Sequence, residues 1–172
     1  MEFIDLYDTD RNVKIEHFPR GEKFENGLFN VVVHICLFNS EGKMLIQQRH
    51  KSKKNFPEVW DLSLGGGVQS GETPRDACKR ELLEELGILH DFSNERPLFT
   101  FNFQTGFDDY FAIEKDVDLK DVKFVDGEVQ NVSWASEEEI LELIASGKFI
   151  NCYPSLIKFI FDTRKSRNAF KI

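Results

Sequence analysis

Apolar and polar positions alternate in blocks along the chain. Residues 3–7 and 13–18 are short β-type runs on either side of the turn-rich Asp8-Thr9-Asp10-Arg11-Asn12, which predicts an N-terminal hairpin over residues 2–18. Residues 28–38 form a run rich in β-branched and aromatic side chains without polar alternation, the pattern of a strand buried on both faces. A turn at Asn39-Ser40-Glu41-Gly42 returns it through residues 43–49. Residues 60–64 lead into the glycine cluster Gly65-Gly66-Gly67, and a helix follows over 74–86. Thr73 suits its N-cap, Pro74 its first position, Asp76 the capping box and Gly87 the stop. Period-two alternation at Phe99, Phe101 and Phe103 marks another strand with residues 109–113 as its return, and residues 129–134 read as one more. Ser136 and Glu139 open a helix that Gly147 ends, and an apolar segment from Pro154 to Phe161 completes a helical C-terminal region over 137–165, with a basic tail after it. Strands and helices interleave with no repeat, low-complexity tract or linker. The pattern predicts a single α/β domain over residues 1–172.

Charge narrows the partners. The 30 acidic side chains outnumber the 22 basic ones, a net charge of −8, which opposes binding to duplex nucleic acid or an anionic membrane. A small anionic substrate remains open if a cation bridges it. The three cysteines, Cys36, Cys78 and Cys152, show no C-x-x-C spacing, so they are expected to be buried thiols in a reducing compartment. The N-terminus has neither a basic nor an apolar leader segment, and no apolar run approaches ~18 residues, so a soluble cytoplasmic protein is expected. Seventeen phenylalanines against two tryptophans and three tyrosines point to an apolar core that includes Phe99, Phe101 and Phe103. Phe107 and Tyr110, near Gly106, are the candidates for stacking on a base, and His34 reads as a satisfied core histidine.

The helix over 74–86 carries the chemistry. Glu81, Glu84 and Glu85 stand at i, i+3 and i+4 and crowd one face, while Cys78, Leu82, Leu83 and Leu86 fall on another that would pack on the sheet. Like charges at that spacing repel unless a cation lies between them, and three carboxylates suit Mg²⁺, a hard ion that takes oxygen ligands. Alone, the pattern describes a solvated acidic face just as well. The glycine-rich segment upstream changes that. Gly66, five residues, Glu72, seven residues, then Arg80-Glu81-Leu82-Leu83-Glu84-Glu85-Leu86-Gly87-Ile88 fills all nine specified positions of the Nudix box, G-x5-E-x7-R-E-U-x-E-E-x-G-U with U aliphatic. With ordinary residue usage, the chance of such a match in a chain this long is on the order of 10⁻⁷ to 10⁻⁸.

The sequence thus resembles the Nudix hydrolase superfamily, through a box that covers residues 66–88. The resemblance implies an α/β/α sandwich around a mixed β-sheet and metal-dependent hydrolysis of a diphosphate linkage in a nucleoside-diphosphate-type or related small phosphorylated substrate. It implies Mg²⁺ or Mn²⁺ as cofactor, with Glu81, Glu84 and Glu85 as metal ligands and Gly66 offering a backbone carbonyl. Glu72 and Arg80 would support the loop and orient the glutamates. Family members often place a further acid before a strand bearing a tryptophan; Glu128, ahead of Trp134, is that candidate for a ligand or general base, the alternative being a solvated loop residue beside Asp126. Family members are often homodimers, which makes a homodimer the expected assembly.

The substrate end is less marked. Arg49, His50, Lys51, Lys53 and Lys54 form a local basic patch, from which Arg49, at the end of a strand, is the candidate for contacting substrate phosphates. Two other functions stay open. The hairpin and the path through Trp60 into the glycines are also similar to isopentenyl-diphosphate isomerase, although Gly65 stands where that enzyme has a cysteine and Gly67 where it has a metal-site histidine. A catalytically silent, nucleotide-binding regulator is the third reading.

Overall fold

Strand β3 (Asn30–Phe38) organises the molecule, and its two faces divide the core. Val31, Val33, Ile35 and Leu37 point into one apolar cluster, while Cys36 and Phe38 point into another on the opposite side. The structure is a computed structural model that describes residues 1–124 and 127–165; Asp126 and the tail after Lys165 lie outside the described residues. The hairpin is formed by β1 (Phe3–Tyr7) and β2 (Val13–Pro19), which pair antiparallel as a separate small sheet. The main sheet holds β3, β4 (Met44–Arg49), β5 (Trp60–Asp61), β6 (Leu64–Gly67), β7 (Phe99–Phe103), β8 (Gly106–Glu114) and β9 (Val129–Ala135). It is mixed: β3 runs parallel to β8 along its whole length and antiparallel to β6. Helix α1 (Pro74–Leu86) covers one face, and α2 (Glu137–Ala145) with α3 (Pro154–Thr163) covers the other. This is the expected α/β/α sandwich with an N-terminal hairpin.

The divergence of two strands makes room for the site. β3 and β4 meet only at Phe38↔Met44 and then part, with β6 running along β3 and β5 along β4. The glycine cluster, expected as a loop, is therefore the end of a strand whose residues pair with β3: Gly65 opposite His34, Gly66 opposite Val33, Gly67 opposite Val32. Helix α1 begins and ends as its sequence dictates. Thr73 and Asp76 form a reciprocal capping box, and Gly87 stops the helix in the left-handed region at φ 67°, where its N–H reaches the carbonyls of Leu82 and Leu83.

Several expectations need correction. Leu83 is 44% exposed, because the stripe that α1 buries is Cys78, Leu82 and Leu86, spaced by four, and Leu83 lies about 100° further round. Phe101 and Phe103 are exposed, at 49% and 39%, because β7 is an edge strand that α3 meets at Phe99, where Phe159 packs 5.3 Å away, leaving the rest of that face open. The thiols of Cys36 and Cys78 are buried as expected, whereas Cys152 is only half-buried. β3 is covered on both faces only in its second half; Asn30, Val32 and His34 emerge from the helical layer and line a cavity. Among the described residues, no helix is long and apolar enough to cross a membrane.

Candidate active site

That cavity, of about 580 Å³, is the size of a small-molecule site and gathers residues from β1, β3, β4, β5, β6 and α1 and from the turns that carry Arg20, Lys53 and Glu128. Its acidic wall comes from α1: Glu81, Glu84 and Glu85 all line it, joined by Glu128 from the turn before β9. Glu81 is buried, and desolvation raises its carboxyl, opposed by its hydrogen bonds with Arg80. Glu85 is pushed up to about 8, first by burial and then by the negative charges of Glu81 and Glu128, with Lys53 acting the other way. Gly66 lies directly against the Glu81 carboxylate, so that even a methyl group at residue 66 would collide with it.

Arg80 is the bracket that holds loop and helix together. Its Nε and Nη2 donate to the two Glu72 oxygens at 2.7 and 2.9 Å, Nη2 also donates to the Gly67 carbonyl at 3.0 Å, and Nη1 reaches Glu81 at 2.7 Å and Glu84 at 3.4 Å. Burial works to raise Glu72, but the bonds from Arg80 and from the Gln69 N–H outweigh it and hold the carboxyl below its usual range. The hairpin is tied to the same loop by Asp5, which accepts from Ser70 Oγ at 2.5 Å, the Gly71 N–H at 3.0 Å and the His17 N–H at 3.1 Å. It thereby carries Arg20, ion-paired to Glu2, to the cavity rim beside Gly67.

The basic patch splits. Arg49 and Lys53 line the cavity, whereas His50, Lys51 and Lys54 do not. Lys53 is ion-paired with Glu128, and Arg49 donates to the Asn55 carbonyl at 3.2 Å and sits 3.4 Å from Asp61. Phe107 and Tyr110 are buried and do not line the cavity, so neither is a platform for a base. His34 is satisfied as expected, with Nδ1 2.6 Å from Asp108, yet it is a wall residue and not a core one. Arg20, Gln47 and Asp61 had no signal in the sequence beyond ordinary polarity, and only the fold brings them to the site.

The donors suit a divalent cation. Among the described residues no three acids or histidines are drawn together tightly enough to hold a metal as they stand; Arg80 and Lys53 engage Glu81, Glu84 and Glu128 instead. A partly buried, mutually repelling set of carboxylates, one of them shifted to about 8, is nonetheless the oxygen-donor set that Mg²⁺ takes. The isomerase alternative meets a steric objection. A Cβ at Gly65 would lie 2.8 Å from His34 Cδ2 and 2.9 Å from Nε2, and that ring is held by Asp108 and stacked on Tyr110 at 4.8 Å.

Fold and site together define a Nudix-type enzyme. The sequence profile of the NUDIX domain matches residues 28–151, and the chain belongs to that family. An uncharacterised Nudix hydrolase of Listeria innocua is 44% identical over 150 residues, covering 87% of this chain and 89% of the relative. A Nudix hydrolase of Deinococcus radiodurans is 38% identical over 119 residues, 68% of this chain and 69% of the relative. Among solved structures, a Deinococcus radiodurans protein matches with a TM-score of 0.74 at 29% identity, covering 92% of this chain and 98% of that one. The MutT protein of Methanosarcina mazei shares the fold at 22% identity, with a TM-score of 0.58 over 81% of this chain and 96% of its own. The protein is a Nudix hydrolase, a class that acts on nucleoside diphosphate derivatives and is generally dependent on a divalent metal.

Proposed function

We propose that the protein hydrolyses the diphosphate linkage of a nucleoside-diphosphate-type or related small phosphorylated substrate, with Mg²⁺ or Mn²⁺ as cofactor. The observation that carries this reading is the convergence of Glu81, Glu84, Glu85 and Glu128 on one cavity beside Gly66. Glu81, Glu84, Glu85 and the Gly66 carbonyl would hold the ion. When bound, a divalent cation neutralises phosphoryl oxygens and lowers the pKa of water.

The chain's own residues do the remaining work. Arg80, fixed by Glu72 and the Gly67 carbonyl, keeps the acidic helix in register with the glycine strand. Arg49, Lys53 and Arg20 surround the cavity and meet phosphate charge left over. Glu128 takes the proton of the attacking water. Its partner Lys53 sits on a long flexible stem, and its movement onto a substrate phosphate frees the carboxylate.

The test is hydrolysis of nucleotide sugars, dinucleoside polyphosphates, ADP-ribose and deoxynucleoside triphosphates with Mg²⁺, Mn²⁺ or excess EDTA. Cleavage of at least one compound with metal, rising toward alkaline pH and absent in EDTA, is the expected result. Full turnover in EDTA, or exchange of solvent deuterium into isopentenyl diphosphate, would overturn it.

A further inference from the structure

Opposite the acidic wall, the cavity is closed by side chains of the sheet that play no part in holding a metal. Gln47 on β4 and Asp61 on β5 are register partners, so their side chains lie on the same side of that ladder. Both line the cavity and both are more than nine-tenths buried, Gln47 at 5% and Asp61 at 9% exposure. Gln47 Oε1 is buried without a hydrogen-bond partner among the described residues. Such an atom costs free energy unless something bonds it, and here it borders a cavity large enough for a ligand.

The neighbours have spare capacity of the same kind. Among the described residues, one Asp61 oxygen accepts from the Leu62 N–H at 2.8 Å, and the other has only the long 3.4 Å contact with Arg49. His34 is engaged through Nδ1 with Asp108 at 2.6 Å, and the ring lines the cavity with Nε2 as its second hydrogen-bonding atom. This wall offers acceptors at Gln47 and Asp61, a donor at the Gln47 amide and a ring nitrogen at His34. A hydroxyl group both donates and accepts at one atom and matches that mixture. A nucleobase does not, because among the described residues no aromatic ring lines the cavity apart from the His34 imidazole, itself stacked on Tyr110.

On the hydrolytic reading above, we infer that Gln47, Asp61 and His34 form a subsite for a hydroxyl-rich, sugar-like group attached to the substrate's diphosphate. The phosphates lie toward α1 and the hydroxyls toward β4 and β5. Specificity then comes from Gln47 and Asp61, while the glutamates recognise only what all such substrates share.

Calorimetric titration of the full chain with Mg²⁺ and hydrolysis-resistant methylenediphosphonates tests this. The probes are methylenediphosphonate itself, its glucosyl ester, α,β-methylene-ADP and the 2′,3′-dideoxy form of the last. The wild-type protein should bind the glucosyl ester, or the ribose compound relative to its dideoxy form, at least about tenfold more tightly than the probe lacking those hydroxyls. Which pair shows the gain tells a hexose from a ribose. Gln47→Leu should abolish the gain and leave the affinity for bare methylenediphosphonate within about twofold of wild type, and Asp61→Asn, which is isosteric, should do the same even where Gln47→Leu fails to fold. A gain that survives in the folded variants, or an equal loss for the bare probe, overturns the subsite. If the wild type binds methylenediphosphonate but hydroxyls add nothing, the subsite falls and the hydrolytic reading stands; if it binds none of the probes, both fall.

Discussion

The two walls of the cavity are built in opposite ways. The acidic wall is local: Glu81, Glu84 and Glu85 sit on one helix, and its loop is braced by Arg80 through Glu72 and Gly67, 8 and 13 residues upstream. Its carboxylates are crowded, partly buried and already engaged by the protein's own cations. The sheet wall draws His34, Gln47 and Asp61 from three strands, and its defining atom, Gln47 Oε1, has no partner among the described residues. One wall concentrates charge for chemistry common to a class; the other leaves hydrogen-bonding capacity open for selection. Substitutions on the first should therefore change turnover for every substrate, and those on the second should change which substrate is preferred.

The sharpest way to break this division is at Glu128, which the fold adds to the acidic wall from outside the helix. Glu128→Gln should lower kcat by roughly 10²- to 10⁴-fold, the contribution of a positioned base, with little change in Mg²⁺ affinity measured by titration. An unchanged kcat would return Glu128 to the role of a loop residue. Next come the adjacent glycines. Gly66→Ala drives a methyl group into the Glu81 carboxylate and should cost about 10²-fold in kcat/KM, the scale of a misplaced catalytic group. At Gly67 the atoms nearest the new Cβ would be those of the Arg20 guanidinium, at an ordinary contact distance of 3.5 Å, so Gly67→Ala should be close to neutral. Equal losses in the two variants would mean that loop flexibility, and not the seat of Glu81, is what matters.

Smaller effects concern stability. Because the Glu85 carboxyl titrates near 8 when folded and near 4.5 when unfolded, the folded protein holds the extra proton between those values, and metal-free stability should fall as pH rises from about 5 to about 8. Glu85→Gln should remove that part of the slope and raise Tm in EDTA at pH 8 but not at pH 5. Added Mg²⁺ should stabilise the wild type more at the higher pH. Within α1, Leu82→Ala should cost about 2–5 kcal/mol in denaturant unfolding, the range for a buried leucine, whereas Leu83→Ala should stay within about 0.5 kcal/mol of wild type.

The acidic wall was legible in the sequence because helical spacing fixes which residues share a face, and because the complete box set its distance from the glycines. The order of the elements followed from turn residues and caps for the same local reason. Leu83 was misplaced because a helix with four apolar positions near one face does not reveal which of them the sheet covers. Phe101 and Phe103 were misplaced because period two shows that a strand has two unlike faces, and says nothing of whether a second layer covers the apolar one. His34 looked like core because its strand is apolar throughout, while the helical layer ends before reaching it. Arg20, Gln47 and Asp61 are brought together by the parting of β3 from β4, a long-range event that leaves no local pattern.

An active site at the acidic wall is tested most directly by single-turnover hydrolysis with Glu81→Gln and Glu85→Gln, each assayed beside a Mg²⁺ titration. Glutamine keeps the size and one oxygen but removes the charge that a hard cation needs. The expected result is a loss of at least about 10²-fold in rate for each variant, with weaker Mg²⁺ binding in Glu85→Gln and partial recovery of its rate at high metal. Wild-type rates in both variants would contradict it and place the chemistry elsewhere.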